Sequence, residues 1–293
     1  MLGEFLQLLM SGLASGCVYG LVALGFVLIY KATEAINFAQ GDFMMFGAFI
    51  IIWLANESFL GLPFLFAIPF GLVIMALISA SFDRLVLQRV VGEPQIVIVI
   101  LTIAAGFILR FFAGVIWGYE PLSLETPIVG KYLSLGGVVL SLAEIGVIVL
   151  TVMFTITLYI FFSFTKMGVA LMAISQNQLA ASHVGIPVRK LQSFTWVLAG
   201  IVAGSAGILY ASKGAVDPSV GLIGIKAFAA AVIGGFGSLP GALLGGLVIG
   251  IVEPFSSRFI GSGYSHLMPY IILLLILFLK PNGLISQVRS KKV

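Results

Sequence analysis

The 293-residue sequence is poor in charge: Asp, Glu, Lys and Arg together make up 9% of it. Soluble domains carry about 25%, so a water-facing globular protein is excluded. A disordered chain and a receptor with a large exterior domain are excluded too, because no polar stretch is long enough to fold apart. Cysteine is nearly absent. Cys17 stands alone, which leaves no intrachain disulfide and no thiolate metal cluster. The two histidines, His183 and His266, lack metal-ligand spacing. No Ser/His/Asp set, HExxH pattern or paired-carboxylate arrangement is present, so an enzyme is not expected. The net charge of +4 is small and sits in loops, a topology signal rather than a nucleic-acid surface. The first residues show neither a basic n-region nor a cleavage site, so no removable signal peptide is expected.

What is abundant is apolar. The hydrophobic set makes up 60% of the chain, and a mean hydropathy of +1.19 runs along its whole length. A helical crossing takes about 20 apolar residues, which predicts eight or nine spans, some of them short, broken or re-entrant. The segments are apolar on all sides rather than alternating, against a barrel. The expected fold is therefore an all-α polytopic membrane protein embedded in a lipid bilayer, organised as one transmembrane domain over 1–293. Spans are placed near 6–30, 36–55, 63–83, 95–116, 138–163, 191–211, 225–238, 241–256 and 267–280.

Positive charge orients the array. Arg84 and Arg89, then Lys166, Arg189 and Lys190, then Arg289, Lys291 and Lys292 mark three regions expected in the cytoplasm. Lys131, Lys213 and Arg258 fall in the opposing loops. Nine crossings put the N-terminus outside; eight with a re-entrant pair put it inside. Small residues recur at four-residue spacing, as in Gly12-Gly16-Gly20, Gly200-Gly204, Gly237-Gly241-Gly245 and Gly246-Gly250. Close helix approach in lipid depends on such faces.

Three stretches carry polarity or flexibility inside this apolar frame. Residues 31–42 hold Asn37, Gln40 and Asp42 between two apolar segments, as a tight surface turn or as a broken helix whose backbone faces a cavity. Asn37 and Gln40, three apart, would share a helix face and could bind a polar solute without charge. The loop 165–190 is longer than two crossings need. Its middle, 169–183, predicts a short amphipathic helix with Leu171, Ile174 and Leu179 on one face, Val184 following and Gly185 and Pro187 as the stop. The helix lacks Lys, Arg and aromatic residues, which favours a partner protein over the membrane interface. The third stretch, 226–246, is rich in glycine, including Gly234, Gly235, Gly237 and Gly241. Gly237 is followed by Ser238 and Leu239, not by the Lys-Ser/Thr of a phosphate loop. No cofactor or nucleotide site is expected, and ATP-driven transport would need a separate ATPase.

Charges within spans face the bundle interior or water. Lys226 and Glu253 fall at similar depth if 225–256 goes down and up, as a buried charge pair. Arg110 and Glu144 lie toward the ends of their spans and are expected to snorkel.

The run GLASGCVYGLVALGFVLIYKATEAINFAQGDFMMFGAF, the run KAFAAAVIGGFGSLPGALLGGLVIGIVE and TKMG before the long loop together resemble permease subunits of bacterial branched-chain amino-acid ABC importers. The resemblance covers nearly the whole chain and is nearer the LivH-type than the longer LivM-type subunit. It implies a homologous second permease, two cytoplasmic ATPase subunits and an extracytoplasmic substrate-binding protein, in a bacterial inner membrane. It further implies that 165–190 is the coupling segment. Ala180-Ala181-Ser182-His183-Val184-Gly185 resembles the Ala-Ala-x-x-x-Gly core of the importer docking motif, with Leu179 where that motif often has Glu. ATPase contacts are then expected at Ile174, Gln178, Ala180, Ala181, His183, Gly185 and Pro187. Gln40 stands where relatives often have His. The pathway is expected at Asn37, Gln40, Asp42, Gly234, Gly235, Gly237 and Gly241. The rival class is a stand-alone ion-coupled carrier or channel using Glu144, Lys226 and Glu253.

Overall fold

The computed structural model describes residues 2–90, 93–126, 129–135 and 138–285. The basic cluster Arg289, Lys291 and Lys292 lies outside them. The helices are α1 (Leu2–Thr33), α2 (Gln40–Ala55), α3 (Phe64–Leu85), α4 (Gln95–Trp117), α5 (Leu142–Phe164), α6 (Lys166–Gln176), α7 (Gln178–His183), α8 (Val188–Lys213), α9 (Ile223–Gly234), α10 (Leu239–Phe259), α11 (Ser262–Ser265) and α12 (Met268–Leu279). Six of these elements are long and apolar enough to cross a membrane. The chain is a multi-pass membrane protein.

Contacts between helices fix their directions. Gly12, Gly16 and Gly20 of α1 lie against Gly250, Leu247 and Leu243 of α10, so these two helices run antiparallel. A Cβ on Gly16 would stand 2.8 Å from the Leu247 Cα, so the glycine faces act as packing surfaces that bring backbones together. Gln192 Nε2 donates to the Ala32 carbonyl, while Lys213 Nζ reaches Ser11, which sets α8 antiparallel to α1. Ser79 Oγ donates to the Trp196 carbonyl at 2.6 Å and ties α3 to α8. At one end of the bundle stand the C-termini of α1, α3 and α5 with α6 and α7. At the other stand the N-terminus of α1, where Arg258 Nη2 pairs with Glu4 at 2.9 Å, and the hairpin β1 (Tyr132–Leu135) and β2 (Val138–Ser141).

Among the described residues α2, α9 and α12 are shorter apolar helices beside those six. Two of the three follow non-helical passages into the bundle. Residues 34–39 run back into the bundle in non-helical conformation before α2 begins. The segment 214–222 enters from the other end, closing in a 3-10 turn at Pro218–Leu222 before α9. Where they meet, a Cβ on Gly224 would lie 2.8 Å from the Gly41 Cα.

Three expectations change here. The span placed at 138–163 begins as strand β2, and its helix starts at Leu142. The single amphipathic helix over 169–183 is two helices, because Asn177 takes extended dihedrals and its side chain caps α7 through the Ala180 N–H. That break separates the supposed apolar face: Leu171 and Ile174 are buried, while Leu179 and Val184 are 75% and 77% exposed. Finally, Lys213 is not in a loop; it ends α8.

Candidate translocation site

The non-helical passage 34–39 is held by its own polar side chains. Asn37 Oδ1 accepts from the Ala39 N–H at 3.1 Å, and Asn37 Nδ2 donates to Gln40 Oε1 at 3.0 Å. Gln40 Nε2 donates to the Ala199 carbonyl of α8 at 3.1 Å. The Phe38 N–H finds Thr102 Oγ1 on α4 at 3.1 Å. Non-helical backbone at this depth requires such partners, since neither lipid nor water supplies them. Asn37, Gln40 and Asp42 are 1%, 1% and 2% exposed. These three side chains thus lie inside the bundle, in a broken helix rather than a surface turn, while Glu34 at its start is exposed.

Asp42, in the first turn of α2, accepts from Arg110 of α4: Nε to Oδ1 at 2.5 Å and Nη2 to Oδ2 at 3.3 Å. Snorkelling was the expectation for Arg110, and this pair corrects it. The carboxylate of Asp42 is buried in the bundle, and a buried charge draws in a counter-ion. Gly106 and Gly221 make room for the carboxylate from two sides.

The glycine turn between α9 and α10 lies at the α6–α7 end of the bundle, where Phe236 packs on Tyr30 with ring centroids 5.0 Å apart. Gly235 has φ 100, a left-handed conformation that suits glycine. Gly234 and Gly241 face each other backbone to backbone, while Gly237 is exposed. Lys226 of α9 and Glu253 of α10 form an ion pair, to which Tyr19 adds a hydrogen bond from its hydroxyl to Glu253 Oε2 at 2.7 Å. His266 Nδ1 lies 3.7 Å from the same carboxylate.

On the coupling segment, Gln178 Nε2 donates to the Ala32 carbonyl at 3.1 Å, anchoring α7 beneath α1. Ile174 and Ala181 are buried against the bundle. Ala180, His183 and Gly185 are exposed, and Pro187 caps the N-terminus of α8.

The structure also joins the Lys226–Glu253 pair to residues that the sequence reading did not place at a site. A recess of 790 Å³ opens between α1, α8, α9, α10 and α12, lined among others by Tyr19, Tyr210, Lys213, Asp217, Lys226 and Glu253. Its elements repeat an earlier pattern. Tyr30, Asn37 and Gly41 recur 180 positions later as Tyr210, Asp217 and Gly221. Asn37 and Asp217 play the same local part, each accepting from the N–H two residues on, at 3.1 and 2.7 Å. With α1 and α8 antiparallel, the two halves are inverted relative to each other, an arrangement found in transporters with binding sites near the midplane. That 180-residue offset was the signal available in the sequence.

The pattern of the family described as branched-chain amino acid transport system permease component matches residues 8–277. The chain belongs to this family. It is 30% identical to the high-affinity branched-chain amino acid transport system permease protein BraD of Pseudomonas aeruginosa, over 99% of this chain and 98% of the relative. It is 28% identical to the permease protein LivH of Escherichia coli, again over 99% and 98%. A probable branched-chain amino acid transport permease of Methanocaldococcus jannaschii is 32% identical over 93% and 90%. The chain is a transport component, and the rival reading of a stand-alone carrier is set aside.

Proposed function

We propose that this permease forms half of the translocation pathway of an ATP-driven importer for amino acids, with leucine, isoleucine and valine the best-supported substrates. The observation that carries this is similarity to branched-chain permeases along essentially the entire length of both chains. A homologous second permease supplies the other half of the pathway. Two cytoplasmic ATPases bind beneath the 165–190 segment, and an extracytoplasmic binding protein delivers the substrate. The whole of 1–293 acts as one permease domain in a bacterial inner membrane, with the α6–α7 end and the C-terminus cytoplasmic.

The chain performs no chemistry in this reading. ATP binding closes the ATPase dimer, α6 and α7 carry the motion through Gln178 to the end of α1, and access alternates between the two faces. The half-helices α2 and α9 meet at Gly41 and Gly224, which lets small movements of α1 and α8 shift the Asn37–Gln40–Asp42 segment and the 234–241 turn relative to the pathway. Affinity purification of the tagged chain in mild detergent tests the assembly. Two ATPases and a second permease are expected to co-purify. Recovery of the chain alone, in a form that transports in liposomes without ATP, would overturn it. Thiols introduced singly at Asn37, Gln40 and Gly237 are expected to react with aqueous reagents in at least one nucleotide state. Protection in every state would remove these residues from the pathway.

A further inference from the structure

The recess between α1, α8, α9, α10 and α12 holds four charged side chains: Lys213, Asp217, Lys226 and Glu253. Lys226 and Glu253 neutralise each other. Among the described residues the other two have no such partner. Lys213 Nζ meets only the Ser11 carbonyl at 3.2 Å and the Ser15 hydroxyl, and among the described residues no carboxylate oxygen lies within salt-bridge distance of it. Asp217 spends one oxygen on the Ser219 N–H and is likewise without a cation. Glu144 and Glu253 act on Lys213 only from beyond contact distance, and a half-buried ammonium with no carboxylate against it favours water or a ligand that supplies negative charge.

Lys213 and Asp217 are separated by one turn of irregular chain, and both line the same recess without pairing to each other. An unpaired cation and an unpaired anion lining one recess are available to the two opposite charges of an amino acid. The wall beside them is aliphatic, with Val220, Leu222, Ile223 and Ile225. Tyr19, Tyr210 and Tyr270 also line the recess, the Tyr19 hydroxyl being donated to Glu253, and such a lining suits a guest with a polar head. The 3-10 turn and α9 enter the bundle here, so the recess sits where the second inverted half is broken.

We propose that this recess is a binding site for a zwitterionic aliphatic amino acid, with Lys213 holding the carboxylate, Asp217 the ammonium and the α9 side the branched side chain. The inference rests on the amino-acid reading above and adds to it a place in the chain. It places solute contacts in the second half of the molecule, beside the pathway segment at Asn37 and Gln40.

The test uses the complete importer in proteoliposomes, with the native thiol removed by Cys17→Ser and a reporter thiol introduced by Ser219→Cys at the exposed rim. Saturating L-leucine is expected to slow modification of that thiol by a membrane-impermeant reagent at least about fivefold, whereas leucinamide, which lacks the carboxylate, leaves the rate unchanged. Lys213→Met is expected to abolish protection and lower leucine uptake at least about tenfold, and Lys213→Arg to retain both. Co-purification of partner subunits at the wild-type ratio shows that each variant is assembled. Equal protection by leucine in Lys213→Met, or none in an importer that takes up leucine, overturns the proposal. An importer that moves no aliphatic amino acid at all overturns the functional reading, and this inference with it.

Discussion

Arg110 and Asp42 lock the start of α2 to the middle of α4 through two hydrogen bonds, at 2.5 and 3.3 Å. The pair stands where the extended passage 34–39 turns into helix, with Gly221 of the opposing half-element against the carboxylate. Removing the guanidinium by Arg110→Met leaves Asp42, 2% exposed, charged and alone. Breaking one partner of a buried pair costs about 3–5 kcal/mol. The variant is expected to melt well below wild type in detergent and to accumulate poorly in membranes. Asp42→Asn combined with Arg110→Gln is expected to recover most of that loss. Equal melting temperatures for Arg110→Met and wild type would show that the pair contributes nothing to stability.

The α1–α10 contact makes a sharper steric prediction. A Cβ at Gly16 would stand 2.8 Å from Leu247 Cα and 2.9 Å from the Gly246 carbonyl oxygen, and backbone has no rotamer with which to yield. Gly16→Leu is expected to separate the two helices and to cost more than the roughly 1–3 kcal/mol of ordinary overpacking. Gly263, where added bulk meets open space, provides the control: Gly263→Ala should leave thermal stability within about 0.5 kcal/mol. Similar melting for both variants would refute the packing assignment.

Long helices were legible because they need only length and apolar composition. The four-residue glycine spacing likewise announced close helix packing, though not that α1 and α10 would be the partners. Partners of single charges were not legible. Arg110 looked like a snorkelling residue because its distance from a span end can be counted, whereas the depth of Asp42 depends on a passage that the local pattern left open between a surface turn and a broken helix. Lys213 was hidden for the opposite reason: it sits next to Gly214 and a polar run, so it read as loop. The break at Asn177 was visible only as a capping residue within good helix formers, a weak signal against the apolar periodicity around it. The family was accessible through motif resemblance, while the polar recess needed five elements brought together from distant parts of the chain.

The amide pair inside the passage 34–39 gives a prediction of smaller size. Gln40→Leu keeps the bulk but removes the acceptor for Asn37 Nδ2 and the donor to Ala199. Asn37 is 1% exposed, so its amide is left without water. An unsatisfied buried polar group costs about 1–3 kcal/mol. Gln40→Leu should therefore lower the melting temperature of the purified chain, and Asn37→Ala added to it should cost less than it does alone. Strict additivity of the two changes would show that the side chains do not act as a unit.

The last prediction separates coupling from folding. Leu179 and Val184 are 75% and 77% exposed at opposite ends of α7, whose inner side is anchored by Ala181 and by the Gln178 bond to Ala32. In the proposed importer, these two aliphatic groups facing solvent at the end of the bundle would supply the apolar part of a docking surface. Leu179→Asp and Val184→Asp remove no internal contact that the bundle depends on, and exposed substitutions of this kind shift stability by no more than about 0.5 kcal/mol. In the proposed importer they are expected to lower ATP-driven leucine uptake at least about tenfold and to weaken ATPase co-purification, with the melting temperature of the isolated chain unchanged. Ala181→Asp should do the reverse, lowering the melting temperature because its carboxylate would be forced against the bundle. If the two exposed variants destabilised the isolated chain as much as Ala181→Asp does, α7 would be a structural strap and not a docking element. If they left uptake intact, the ATPases would have to engage the permease elsewhere.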